Sequence, residues 1–291
     1  VLTRGRGGFT LPELVVALVL LGIVCTVIYR LLVGTQRLYQ WQTQRIELDD
    51  NLRSAMAILP TELRELDASD PVGSDIIEMT DSSLAYKAMR SLRWVCADVQ
   101  AGSQLYLDTA WIGLRAVDAR YDSVLIFADS QAAPSTDGHW YHADVTAPPT
   151  AGRDCNGAPS VRLDYRLSSA YGRARLVAGD GVVGGNPVRA FEVVRVMRYR
   201  DASGVTWVGL QRRGKHSGWS APQPLLGPLD RRGLRFTYYG ADGAVTTSPA
   251  LVASIGIAVV GRTSQRVYAT TGSLHYVVDS LVTRVALRNN R

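Results

Sequence analysis

Residues 6–14 read Arg6-Gly7-Gly8-Phe9-Thr10-Leu11-Pro12-Glu13-Leu14, and VVALVLLGIVCTVIY follows directly. A carboxylate thus stands at the threshold of an apolar segment, just past a Gly–Phe junction. Between residues 14 and 29, 16 residues carry no formal charge. As a helix rising about 1.5 Å per residue they cover roughly 24 Å, against a hydrocarbon core of about 30 Å. A full crossing therefore needs residues 9–11 at one end and 31–33 at the other, with Arg30 snorkelling to the interface. Arg4 and Arg6 precede the segment and favour a cytoplasmic N-terminus.

A secretory signal would need small residues at a cleavage site beyond the apolar stretch. RLLVGTQRLYQWQ, residues 30–42, offers no such site. A plain signal anchor satisfies the hydrophobicity, but neither alternative accounts for Gly8, Phe9 and Glu13. The stretch resembles the class III signal of type IV pilin-like proteins: a short basic leader ending in glycine, then Phe-Thr-Leu-Pro-Glu and an apolar helix. The resemblance implies prepilin peptidase cleavage between Gly8 and Phe9, N-methylation of Phe9, and an assembly role for Glu13 beside Phe9 and Pro12. A carboxylate in hydrocarbon costs about 2.5–3.5 kcal/mol on insertion scales, and an opposite charge offsets that cost. In such filaments the implied partner of Glu13 is the N-terminal amine of a neighbouring subunit, which exists only after cleavage.

Beyond the apolar stretch, Leu48, Leu52, Met56, Leu59, Leu63 and Leu66 recur every three or four residues between charged faces, predicting an amphipathic helix. Pro60 should kink it or restart it near Leu59. Asp67-Ala-Ser-Asp-Pro71 supplies a stop. Short apolar runs then predict strands over 75–79, 83–88, 93–99, 104–108, 123–128, 161–167, 191–199, 205–211, 234–239, 251–260 and 280–287. The Asp201-Ala-Ser-Gly204 turn invites a hairpin. Residues 130–160 and 179–187 read as loops. The expected fold class is α+β, a long transmembrane and amphipathic helix packed on an antiparallel β-rich head, as in pilin-like proteins. The expected divisions are a leader at 1–8, a transmembrane helix at 9–33, an amphipathic continuation at 34–70 and a head at 71–291.

The 291 residues carry 32 Lys and Arg against 26 Asp and Glu, a net +6, but only Lys87 and Lys215 are lysines and the signs are interspersed. No nucleic acid is expected as a partner. Of three cysteines, Cys25 lies in the apolar helix; Cys96 and Cys155 form one disulfide if the head is extracytoplasmic, with two free thiols as the alternative. Neither they nor the four histidines have metal-ligand spacing. His139 and His142 are three apart in a presumed loop. Aspartates 122, 129, 137 and 144 make no regular calcium loop and read as solvated. The basic run from Gln211 to His216, with Trp207 and Trp219, reads as a solvated hairpin end. No nucleophile elbow, phosphate loop or dinucleotide fingerprint is present, so no enzyme, cofactor or metal is expected.

The large head, LPTELREL after the anchor and the ending DSLVTRVALRNNR are similar to J-type minor pseudopilins of type II secretion or to W-type minor pilins. The resemblance implies a structural subunit of a pseudopilus, with a pilus or DNA-uptake filament, or an independent membrane-anchored binding protein, as alternatives. Implied partners are prepilin peptidase, other major and minor pseudopilins or pilins, the inner-membrane assembly platform and membrane lipid. The implied location is the inner membrane, single-pass, with a periplasmic head.

Overall fold

The computed structural model describes residues 10–69, 73–96, 103–130, 138–168, 180–268 and 273–288. They fall into two compact units, one drawn from residues 1–50 and 262–279, the other from 51–261 and 280–291. The fold class is α+β: one long N-terminal helix and a large antiparallel sheet.

Helix α1 spans Leu11–Arg64. Its first half exposes apolar side chains all round, including Leu14, Leu18, Leu21, Ile23 and Leu32. Its second half buries a stripe at Leu52, Ala55, Leu59 and Leu63. Pro60 lies inside the helix, which continues through it rather than restarting. Burying Leu59 (3% exposed) and Leu63 (1% exposed) on either side explains this. Each buried leucine contributes about 1.5–3 kcal/mol, against roughly 3 kcal/mol for an interior proline. The helix closes at Arg64, just ahead of the stop expected from residue 67, and residues 65–69 turn away. Its end is tied down by Arg288 N donating to Arg64 O (2.8 Å), and the turn by Asp67 N donating to Asp75 Oδ2 (2.9 Å).

The strands are β1 Ile76–Met79, β2 Ser83–Trp94, β3 Gln104–Leu107, β4 Ile112–Gly113, β5 Asp122–Ser130, β6 His139–Val145, β7 Thr150–Cys155, β8 Ala158–Leu167, β9 Asp180–Gly181, β10 Pro187–Arg200, β11 Thr206–Gly214, β12 Gly218–Trp219, β13 Gln223–Tyr239, β14 Ser254–Arg262, β15 Val267–Tyr268, β16 Leu274–His275 and β17 Val278–Ala286. Among the described residues, fifteen join one sheet whose main path runs β17-β14-β13-β11-β10-β5-β6-β8-β3. Strand β2 pairs with β10, β1 and β4 off that path. The hairpin expected around Asp201 joins β10 to β11, with Arg200 opposite Thr206.

Three sequence expectations change. Residues 83–88 and 93–94 belong to one strand, β2, kept in register along β10 by a bulge. Ser91 opposes Ala190 and Met89 opposes Phe191, so Arg90 is the extra residue. A bulge re-aims its side chain, and here it turns a cation inward. Gly113 of β4 approaches this point so closely that a Cβ would lie 2.3 Å from Arg90 O, and its φ of +142 suits glycine. Second, the expected 130–160 loop contains β6, β7 and the start of β8. Tyr141, Ala143 and Val145 alternate inward there, against Val124, Ile126 and Leu163. Third, residues 249–251 form a short 3-10 turn, so the strand expected from 251 begins at Ser254.

Candidate functional site

Thr10 is the residue before the helix, Pro12 lies in its first turn and Glu13 is the third helical residue. Proline is tolerated there because first-turn amides have no intrahelical acceptor. The Glu13 carboxylate folds back: Oε2 accepts from Thr10 N (2.9 Å) and from Thr10 Oγ1 (2.9 Å). This is one half of a capping box, in which the acid satisfies an amide that the helix leaves unpaired. Thr10 was missed in the sequence, although Thr-x-x-Glu ahead of an apolar run is the signature of that cap. Gly8 and Phe9 lie outside the described residues.

Residues 3–29 match the prokaryotic N-terminal methylation motif. This is the type IV pilin-like prepilin signal, and it marks the chain as a substrate of the prepilin peptidase type. No curated protein and no solved structure matches the chain. The motif contains the Thr10–Glu13 cap and most of the exposed apolar surface of α1. That helix is long and apolar enough to cross a membrane, and with the prepilin signal it serves as a membrane anchor.

Within the unit of residues 51–261 and 280–291, the last turns of the helix are fixed to the sheet by an ionic network. Tyr86 Oη donates to Glu62 Oε2 (2.6 Å), and Arg90 Nη1 donates to Glu62 Oε1 (3.2 Å). The bulged Arg90 also donates through Nε to Glu192 Oε1 (2.5 Å). Glu192, 4% exposed, receives Arg212 Nε on its other oxygen, with Arg115 Nη2 at 3.1 Å. Arg115 grips the fully buried Asp122 with two bonds of 2.6 Å. Three arginines thus face three carboxylates. Burial alone would raise the Glu192 carboxyl, but the hydrogen bonds and charges of Arg90 and Arg212 outweigh it and hold the group below the usual carboxylate range. Burial and the neighbouring Glu62 charge push the Tyr86 phenol well above its ordinary value. None of this was visible in the sequence, where Asp122 read as a solvated loop carboxylate.

The remaining candidates settle into structural positions. His139 and His142 lie on strand β6, not in a loop, and their spacing sends them to opposite faces. His142 packs against Phe191 at 5.3 Å between ring centres. Asp144 accepts from Ser123 Oγ (3.0 Å); residue 137 lies outside the described residues. In the basic run, Lys215 is not free but donates to Val145 O (2.7 Å), and Trp219 lies under Arg195 at 4.0 Å. Cys96 and Cys155 are bonded, with Cα atoms 5.2 Å apart, and Cys25 is an exposed free thiol. Asp108 lies close to both sulfurs. With the sulfurs joined to each other, that group lacks the thiolates a metal would take.

Proposed function

We propose that this chain is a minor pseudopilin, a structural subunit of a type II secretion pseudopilus, possessing no catalytic site of its own. Residues 1–8 are the leader, 9–33 the single membrane-spanning stretch, 34–70 the continuation into the head, and 71–291 the periplasmic head. Prepilin peptidase cuts between Gly8 and Phe9, Phe9 is methylated, and the mature subunit joins other pseudopilins on the inner-membrane assembly platform. The observation that carries this reading is the methylation motif with Glu13 five residues beyond Gly8, followed by a helix whose apolar surface is exposed on all sides. The size of the β head and the ionic clamp at Glu62 support a role at specific contacts rather than as the repeating shaft.

Assembly requires the Glu13 carboxylate to exchange its Thr10 partners for the amine of a neighbour. Mass spectrometry of the mature protein should find a methylated N-terminus at Phe9; an uncleaved chain, or one beginning elsewhere, would refute the reading. Glu13→Ala should then abolish co-purification with the other filament subunits while leaving cleavage intact. Deleting the chain should block export of folded periplasmic proteins and spare surface pili. Loss of pili with export unchanged would transfer the same geometry to a type IV pilus.

A further inference from the structure

In the unit formed by residues 1–50 and 262–279, the chain beyond Arg262 runs beside the helix just past its apolar stretch. Gln44 Oε1 accepts from Ser264 Oγ (2.8 Å) and from Gln265 N (2.9 Å). Closer to the helix start, the Arg37 guanidinium lies 4.2 Å from the centre of the Tyr268 ring. Strand β15 therefore runs toward residue 33, stepping about 10 Å down the helix. Strand β16 returns, with Leu274 opposite Tyr268 and His275 opposite Val267. Asp279 is then back at the level of Arg45, 3.8 Å away.

Among the described residues, those of the helix and hairpin nearest the apolar stretch are basic, aromatic and apolar. Arg37, Tyr268 and Leu274 are all exposed there, the last two at 41% and 51%. Arg37 lies four residues past Val33, about 6 Å along the axis. The polar headgroup layer on each side of a bilayer is of the same depth, roughly 5–7 Å. Arg30 is seven residues from Arg37 and shares its helix face. Tyrosine is enriched at that depth, and arginines near the surface are drawn to anionic headgroups.

We propose that this hairpin is a membrane-docking element. Tyr268 and Leu274 seat in the headgroup layer of the bilayer that holds the helix, and Arg37 contacts anionic phospholipid. The inference rests on the membrane-anchored reading above. Because Arg37, Gln44 and Arg45 meet the hairpin on one side of the helix, docking fixes the rotation of the helix about its axis. The face carrying the next subunit is then selected before assembly begins.

The test uses the full chain in phosphatidylcholine vesicles containing phosphatidylglycerol, with an environment-sensitive fluorophore on a single cysteine and lipids brominated near the headgroup end of the chain. Native Cys25 reports whether the helix is inserted. Leu274→Cys and the head control Val245→Cys are made in a Cys25→Ser background. The position-274 label should be quenched about twofold and the position-245 label hardly at all. Arg37→Gln, or omission of phosphatidylglycerol, should remove at least half of that quenching. Quenching at Cys25 with none at position 274 overturns docking and leaves the anchor intact. Quenching at 274 that ignores both arginine removal and lipid charge overturns headgroup recognition. An unquenched Cys25 overturns the anchor, and the docking proposal falls with it.

Discussion

Arg90 reaches from the bulge of β2 to donate to Glu192 on β10 at 2.5 Å, while its Nη1 holds Glu62 on the last turns of the helix at 3.2 Å. One guanidinium therefore joins helix, bulge and central strand, and Glu192 is the anion on which three arginines converge.

Removing that anion takes a carboxylate from the buried Arg90 and from the half-buried Arg115 and Arg212. Glu192→Gln should cost about 3–5 kcal/mol. At roughly 2–4 °C per kcal/mol for a head of this size, the melting midpoint should fall by about 6–20 °C. Glu78→Gln, which removes the half-exposed partner of Arg195, should cost under about 1 kcal/mol. Equal effects from the two substitutions in calorimetry would remove the special role assigned to the network.

Acid should weaken the head in two stages. Burial holds the His142 imidazole below its ordinary value; the Asp144 charge opposes this, and Lys87 and Lys215 reinforce it. The unfolded ring binds a proton near about pH 6.5, so the stability from neutral His142 is full above that pH and is lost progressively below it. Glu192, also held low in the folded state, keeps its full contribution above an unfolded value of about 4.3 and loses it as pH falls through the folded one. The melting midpoint of the parent should therefore decline as pH falls below about 6.5, before the fall set by Glu192 begins. His142→Gln should flatten that interval but not the later fall. An identical slope in the variant would exclude His142 as its source.

The Cys96–Cys155 bond closes a loop with a sequence separation of 59. Chain entropy assigns such a loop about 4 kcal/mol. Reduction, or Cys155→Ala, should lower the unfolding midpoint by about 10 °C. Intact mass should rise by two alkyl groups only after reductant is added, with Cys25 alkylated in both states. Alkylation of all three thiols in native protein would sink the bridge.

What the sequence disclosed was the chemistry that is local along the chain. Gly8, Phe9, Pro12 and Glu13 stand within a few residues of one another, and the α+β class followed from one unbroken apolar run, a helical leucine stripe and many short β-rich runs. The ionic network lay hidden because its members meet only in three dimensions: Glu62 is on the helix, Arg90 on β2 and Glu192 on β10. The 130–160 region misled through its prolines and glycines. Gly138, Pro148, Pro149 and Gly157 flank β6 and β7, while the two-residue alternation of Tyr141, Ala143 and Val145 marks β6 as a strand. Whether Cys96 meets Cys155 was likewise open, since spacing does not encode proximity. Thr10 was legible too, as the first residue of a Thr-x-x-Glu cap whose acid also reads as a charge in a membrane.

The bond from Arg288 N to Arg64 O also sets an order of events during folding. The amide that completes the end of α1 comes from residue 288, beyond every described strand of the sheet along the chain. Strand β17, just before it, lies beside β14 in the sheet. The end of the helix is therefore closed only when the strands between these two residues have found their places. Contacts this distant along the chain make folding slow. The helix waits on the sheet for its own last turn to be complete.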